Sequence, residues 1–141
     1  MDRFALDQQI TGCRIFINDV ALQDILSPIE AKLGVGGSGR YTWLPPDVAL
    51  LPSQHLLGHP DPRSGMWGED WAEWGFGNQK VAIGGCTCGD VGCNPLLVTI
   101  ELSRGVVVWR DFFSRQSDKY HLGFTFQRKQ YESQLRATSE P

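Results

Sequence analysis

Residues 95–109, which read PLLVTIELSRGVVVW, decide the fold. Two apolar runs rich in β-branched residues, 95–102 and 106–109, are separated by a short turn, SRG, that contains a glycine. Because both runs are nearly continuous in apolar residues, they are typical of strands in the centre of a sheet rather than at its edge. The sequence therefore predicts a buried β-hairpin in the second half of the chain.

Strands are also predicted on either side of this hairpin. Their patterns cover residues 14–18, 80–83 and 120–126. The first of them is closed by Asn18 and Asp19, a pair prone to turns. A mainly antiparallel sheet is therefore expected.

Two regions have the apolar spacing of helices. Within residues 20–33, the tetrapeptide SPIE at 27–30 combines a capping serine, a proline and a glutamate, the signature of a fresh helix start. Two short helices or one kinked helix are therefore expected there. Residues 127–137 predict a C-terminal helix in which Tyr131 and Leu135 form the inward stripe.

The size and composition of the chain suit one domain. It has 141 residues, of which 41% are hydrophobic and 21% charged, as in ordinary globular proteins. The prediction is a single α+β domain over 1–141, mainly antiparallel sheet, with short N-terminal helices and a C-terminal helix packed on the sheet. Residues 1–10 and 137–141 are expected to be flexible ends.

The cellular compartment is predicted from the targeting signals and from the pattern of cysteines. The N-terminus has acids where a secretory signal needs a basic region, and no run of about 18 apolar residues occurs. Three of the four cysteines lie within eight residues, which does not suit a secreted disulfide framework. We expect a cytoplasmic protein with reduced thiols and no membrane association.

Charge is unevenly distributed along the chain, whose net charge is −3. Residues 41–79 contain five acids and one base, whereas residues 104–136 contain seven bases and three acids. Either the two regions pack side by side and neutralise each other, or one of them faces a charged partner.

The segment CTCGDVGC at residues 86–93 is a tight turn that carries three thiols between two predicted strands. Its two glycines allow sharp changes of backbone direction, so Cys86, Cys88 and Cys93 are candidate ligands for zinc. Tetrahedral zinc needs four ligands, and the turn supplies three. The candidates for the fourth are Asp90, Cys13, His55, His59 and His121.

Two other interpretations of these thiols stay open. Cysteine is among the most buried residue types, so Cys86 and Cys93 are also suited to fill the sheet interior. Redox or nucleophilic chemistry at Cys88 is the third interpretation, but the nearest cation in sequence is Lys80, and a reactive thiol needs one close by. Alkylation of the native protein at neutral pH distinguishes a reactive Cys88 from a buried thiol.

No other pattern indicates catalysis. The three histidines are interpreted as loop residues, because Gly58 and Pro60 interrupt any helix that would align His55 and His59. The nucleophile-elbow pattern G-x-S-x-G does not occur in the sequence, and the basic stretch is interleaved with apolar strand residues, which argues against nucleic-acid binding.

The remaining feature is an acidic tryptophan segment, defined as residues 66–77. Its tryptophans recur at i, i+4 and i+7, which places them on one face of a short helix with the acids directed elsewhere. Aromatic residues in this pattern build either core or a binding hot spot, and neighbouring acids would steer a basic partner. The candidate partner-binding residues are Trp67, Glu69, Asp70, Trp71, Glu73 and Trp74.

The chain resembles a family of small, uncharacterised bacterial proteins. The resemblance covers residues 14–136 and is carried by LPPD at 44–47, SQHLLG at 53–58, CTCGDVGC at 86–93, VWRDF at 108–112, Phe126 and QY at 130–131. Its specific part is C-x-C-G-x-x-G-C followed by V-x-W-x-D-F, and it implies no assigned activity. The chain departs from the pattern at Gln127, where an aspartate would cap the last helix, and in the added segment 66–77.

These features favour a non-enzymatic protein, an immunity or inhibitor protein that neutralises a toxin by protein–protein interaction through the acidic tryptophan segment. The alternatives are a small module stabilised by zinc and, third, a thiol-dependent enzyme.

Overall fold

The computed structural model describes residues 1–9, 12–34, 41–42, 44–59, 80–86, 96–114, 117 and 119–137. The strands are β1 (Phe4–Gln9), β2 (Gly12–Ile17), β3 (Val20–Ala21), β4 (Tyr41–Thr42), β5 (Lys80–Cys86), β6 (Leu96–Ser103), β7 (Val106–Phe113) and β8 (Phe124–Gln127). The helices are α1 (Leu22–Leu33), α2 (Pro46–Ala49) and α3 (Arg128–Ala137), with a 3₁₀ turn at His55–Leu57.

The predicted central hairpin is confirmed. In the five-stranded sheet, ordered β4-β5-β6-β7-β8, β6 is the middle strand and pairs antiparallel with β7. The pairing of Ser103 with Val106 leaves a two-residue turn in which Gly105 has φ of 83°, a conformation that glycine adopts without strain. Val107 and Trp109 are fully buried, as the apolar pattern predicts.

The smaller sheet is ordered β1-β2-β3, and all its pairs are antiparallel. The predicted turn between β2 and β3 is confirmed, with Asn18 at φ 54° and Asp19 at φ 68°, the two left-handed residues of a hairpin turn. The expectation of a flexible end over 1–10 differs from the structure, because β1 occupies most of that stretch. Phe4 and Leu6 alternate inward and are buried against β2 and the rest of the core.

Helix α1 is one helix that runs through Pro28 rather than two helices. Its inward residues Leu22 and Leu26 are buried, and this packing outweighs the helix-start signature at 27–30. Gly34, at φ 73°, ends the helix with its N–H directed to the carbonyl of Ala31. The last predicted strand is also shorter than expected: β8 begins at Phe124, after His121 with φ of 50° has interrupted the extended backbone.

The two sheets are joined into a closed cycle of strands. Asp2, two residues before β1, forms a parallel bridge with Phe126 of β8, and Cys13 of β2 forms an antiparallel bridge with Leu44, which follows β4. The cycle β4-β5-β6-β7-β8-β1-β2 therefore returns to the segment after β4.

Helix α3 packs against β1, β7 and β8, which confirms the α+β class with a C-terminal helix on the sheet. Its predicted stripe is confirmed, since Tyr131 and Leu135 are buried. The Tyr131 ring lies among the rings of Phe4 and Phe126, with centroid distances of 4.3 and 5.4 Å. No helix in the described part of the chain is long and apolar enough to cross a membrane.

Candidate functional site

The predicted partner-binding residues lie outside the described part of the chain. They are Trp67, Glu69, Asp70, Trp71, Glu73 and Trp74. The structure instead describes the two flanks of this region, the 3₁₀ turn that precedes it and the first residue of β5 that follows it. The geometry of the candidate site is therefore the geometry of these flanks.

The upstream flank is held by His55, which is fully buried. Its Nε2 lies 2.6 Å from the carbonyl oxygen of Ala82 in β5, and because a carbonyl only accepts, Nε2 carries the proton. Its backbone N–H donates to Oγ of Ser53 at 3.2 Å. The sequence predicted a loop histidine. His55 lies in the 3₁₀ turn of the connection between α2 and β5, and its side chain joins this turn to the sheet.

Gly58 ends the 3₁₀ turn directly against the sheet. Its φ is 94°, and a Cβ at this position would lie 2.9 Å from the backbone oxygen of Ile100 in β6. The next residue, His59, is exposed. The chain therefore departs from a point fixed on β6.

The downstream flank is held by Lys80, the first residue of β5. Its Nζ donates to Oγ1 of Thr99 in β6 at 3.2 Å and to the carbonyl oxygen of Asp111 in β7 at 2.7 Å. Burial lowers the pKa of Lys80, an effect that the negative charge of Asp111 opposes. One half-buried side chain thus ties the beginning of β5 to two further strands.

A bulge in β7 provides the carbonyl that Lys80 uses. Leu97 pairs with Phe113 while Thr99 pairs with Arg110, so β7 has one residue more than β6 across this interval. The backbone of β7 accommodates this extra residue at Asp111, whose φ is 57°. Beside it, the exposed Arg110 forms ion pairs with Glu101 and Asp111, and these hydrogen bonds raise its pKa.

The predicted zinc ligands fall only partly within the described residues. Cys86 is the last residue of β5, while Cys88 and Cys93 lie outside the described part, as does Asp90. Strands β5 and β6 flank this connection and are adjacent, with Gly84 opposite Leu96, so its two ends are close together. In the described ranges no three histidine, cysteine or acidic side chains form a group able to hold a metal ion.

The other proposed fourth ligands have different environments. Cys13 is buried and free, and desolvation, with a smaller contribution from Asp7, raises its pKa to about 11. His59 and His121 are both exposed.

A buried polar cluster was missed by the sequence analysis. The hydroxyl of Tyr120 lies 2.7 Å from Oε2 of Glu30 and 3.1 Å from Oγ of Ser114, and all three residues are buried. This cluster fastens α1 to the end of β7. Local sequence contains no signal for it, because Glu30 and Tyr120 are 90 positions apart.

Comparisons of the chain with protein-family models, with curated proteins and with solved structures found no match. The resemblance to a family of small bacterial proteins stays a prediction.

Proposed function

We propose that this chain is a non-enzymatic binding protein, a bacterial immunity protein of the cytoplasm that occludes a toxin. The proposed partner-binding residues are Trp67, Glu69, Asp70, Trp71, Glu73 and Trp74. The observation that carries the proposal is the double attachment of this region to the sheet, at Gly58 upstream and at Lys80 downstream.

Fixed flanks favour binding because a connection whose two ends are held in place has less conformational entropy to lose on binding a partner. Rigid scaffolds that present a variable connection are a common arrangement for recognition. Tryptophans supply large areas that are removed from water on binding, and the acids of this region steer a basic partner toward it. A basic toxin domain fits this chemistry.

Deletion of residues 66–77 tests the proposal. The first step is to examine the gene adjacent to the one for this chain, which we expect to encode a toxin-domain protein. The affinity of that protein for the wild-type chain and for the deletion variant is then measured by titration calorimetry. We expect the wild-type chain to bind and the deletion variant, which still unfolds cooperatively in urea, to lose binding. Equal affinities of the two proteins would contradict the proposal.

Charge reversal at Glu69, Asp70 and Glu73 distinguishes long-range attraction of the partner by these acids from close packing in the bound complex. The association rate of the triple lysine variant should fall, and its dependence on salt should weaken, because long-range attraction is lost. Reversal of Asp24, an exposed acid on α1, is the matched control and should leave the rate unchanged.

Lys80→Met tests the downstream flank. The variant keeps an unbranched side chain that is one atom shorter, and it loses both hydrogen bonds of Nζ. We expect about tenfold weaker binding because the segment is less well positioned. Lys129→Met, at an exposed lysine of α3, is the control. Identical binding by wild type and Lys80→Met would contradict the claim that the downstream flank positions the binding segment.

A zinc-stabilised module is the second candidate function, with Cys86, Cys88 and Cys93 as ligands. The closeness of the two ends of the connection between β5 and β6 favours it, because converging strands help thiols to share one ion. Elemental analysis of protein purified without chelator tests it. A content below about 0.2 zinc per chain would contradict a tight structural site.

A further inference from the structure

Strand β6 is buried on both of its faces. Ile100 points to the inner face, where it pairs with the core residue Trp109. Leu97 and Thr99 point to the outer face, because alternate residues of a strand lie on opposite sides, yet only 0% and 6% of their surfaces are exposed. Ala82 of β5 pairs with Leu97 and is equally buried. A layer of chain therefore covers the outer face of β5 and β6, defined by Ala82, Leu97 and Thr99.

The helices that the structure describes make their main contacts elsewhere. Helix α1 packs on β2 and β3, α2 on β2 and the 3₁₀ turn, and α3 on β1, β7 and β8. The 3₁₀ turn does contact β5 and β6, but from the inner side. There Gly58 lies against Ile100, and the carbonyl of Leu56 accepts from the hydroxyl of Tyr131, a core residue. The layer on the outer face therefore belongs to chain beyond the described ranges.

The connection over residues 60–79 leaves and returns beside this face. Upstream, Gly58 lies against the backbone of Ile100. Downstream, Lys80 opens β5 opposite Thr99, the residue before Ile100 in β6. Surface connections whose ends are close together are commonly compact and packed by their own side chains. Residues 60–79 are therefore placed to supply the outer layer.

The acidic tryptophan segment within this connection has suitable dimensions. At helical spacing, Trp67, Trp71 and Trp74 span about 10 Å. Leu97 and Thr99 are about 7 Å apart along β6. Each buried indole covers about 150–250 Å². The length and apolar area of the tryptophan stripe are therefore sufficient to cover the outer face.

Charge at the edge of the outer face complements the segment. The half-buried Lys80 lies at this edge, in the row of Thr99, whereas the segment contains three acids and no base. At 3.6 residues per turn, Asp70 lies beside the tryptophan stripe, while Glu69 and Glu73 lie opposite it. With the stripe on the sheet, Asp70 is the acid nearest the basic edge and the two glutamates face outward.

We propose that the outer face of β5 and β6 is the docking surface of the acidic tryptophan segment, whose tryptophans cover it. The contacts are within the chain and need no partner. Where the inference rests on the proposed function, it assigns Glu69, Glu73 and the outward edges of the rings to the toxin. The two experiments that test the docking contain no toxin, so either the docking or the toxin binding can fail while the other holds.

The first experiment compares Leu97→Ala in the wild-type chain and in the triple variant Trp67→Ser/Trp71→Ser/Trp74→Ser. In the wild-type chain the substitution leaves a cavity beneath the rings, whereas in the triple variant the face is open to water and less is lost. We expect the loss in urea unfolding midpoint to be at least about twofold larger in the wild-type chain. Val98→Ala, at the next residue, which is buried on the inner face, is the matched control and should cost the same in both backgrounds.

Equal losses from Leu97→Ala in the two backgrounds would overturn the proposal. That result is the one expected if the connection over residues 87–95 covers the outer face instead.

The second experiment uses the wild-type chain and stays decisive if the variants do not fold. Oxidation of tryptophan by hydroxyl radicals is measured by mass spectrometry. A synthetic peptide of residues 64–80, which contains the three tryptophans of the segment, is the open reference, and the fully buried Trp109 is the protected one. We expect the combined rate of the three tryptophans to be at least about fivefold lower in the protein than in the peptide. A smaller reduction would overturn the proposal.

Discussion

The buried hydroxyl of Tyr131 has two specific hydrogen-bond partners in the core. The hydroxyl of Tyr131 accepts from Nε1 of Trp109 at 3.1 Å and donates to the carbonyl of Leu56 at 2.5 Å. Burial raises the pKa of Tyr131 well above its ordinary value, which favours the protonated phenol that donates to Leu56. One side chain thereby joins α3, β7 and the 3₁₀ turn.

Gly58→Ala should destabilise the protein by about 2 kcal/mol or more. The left-handed φ of 94° strains any side chain, and the new Cβ would approach the backbone oxygen of Ile100 to 2.9 Å. Urea unfolding measures the change. Gly34→Ala is the matched control, because its φ is 73° with nothing within 4 Å of the added Cβ, and should cost only about 1 kcal/mol. Equal losses would show that the contact with β6 has no effect.

Cys13 should make stability fall at alkaline pH. Its pKa rises from 9.0 to about 11 on folding, because burial disfavours the thiolate. The unfolded chain therefore loses the proton first, and stability present below pH 9 is lost as pH rises through 11, by up to about 2 kcal/mol. The measurement is the difference in unfolding free energy between wild type and Cys13→Ala from pH 7 to 11. A constant difference would contradict the prediction.

At the scale of elements, tertiary contacts override two local signals. Helix α1 passes through the predicted start signal at 27–30, because Leu22 and Leu26 on its inward face are buried in the core. Strand β1 forms in a stretch that contains Asp7, Gln8 and Gln9, because its long-range partners satisfy the backbone. Both differences arise from contacts that local patterns do not contain.

Pro28→Ala should stabilise α1 by about 1–2 kcal/mol, since alanine restores the N–H that bonds the carbonyl of Asp24 and removes the ring clash. Thermal unfolding followed by circular dichroism measures the shift. Ser27→Ala, at the preceding exposed position, is the control and should change stability by much less. A lower melting temperature for Pro28→Ala would mean that α1 depends on the proline.

At the scale of the molecule, hydrogen bonds between the sheets close the cycle of strands. Asp2 has a central part in this closure: its backbone pairs with β8, and its carboxylate accepts from the N–H of Thr125 at 2.9 Å and from Nδ2 of Asn18 at 3.0 Å. The bonds from Asn18 and then Thr125 lower the pKa of Asp2.

Asp2→Asn should remove a pH-dependent part of the stability. A carboxylate whose pKa is lowered on folding stabilises the fold above its ordinary pKa of 3.8, and this contribution is lost as the pH falls through the folded value. Wild type should therefore exceed Asp2→Asn in urea midpoint at pH 6, and the difference should vanish near pH 2. Asp24→Asn, at an exposed acid of α1, is the control. A difference that persists unchanged at pH 2 would contradict the role of the charge.

The sequence by itself determined the local elements: the β6–β7 hairpin, the turn at Asn18 and Asp19, the stripe of α3 and the α+β class. These follow from periodicity and turn chemistry within a few residues. Only the tertiary structure decided that the buried His55 bonds the 3₁₀ turn to β5 and that Glu30 contacts Tyr120. The same holds for the hydrogen bonds that the glutamines of α3 accept from the backbone of β1. Each of these depends on hydrogen bonds between distant positions, up to 128 apart for Leu6 and Gln134, and such pairs form only where the folded chain brings both groups out of water together.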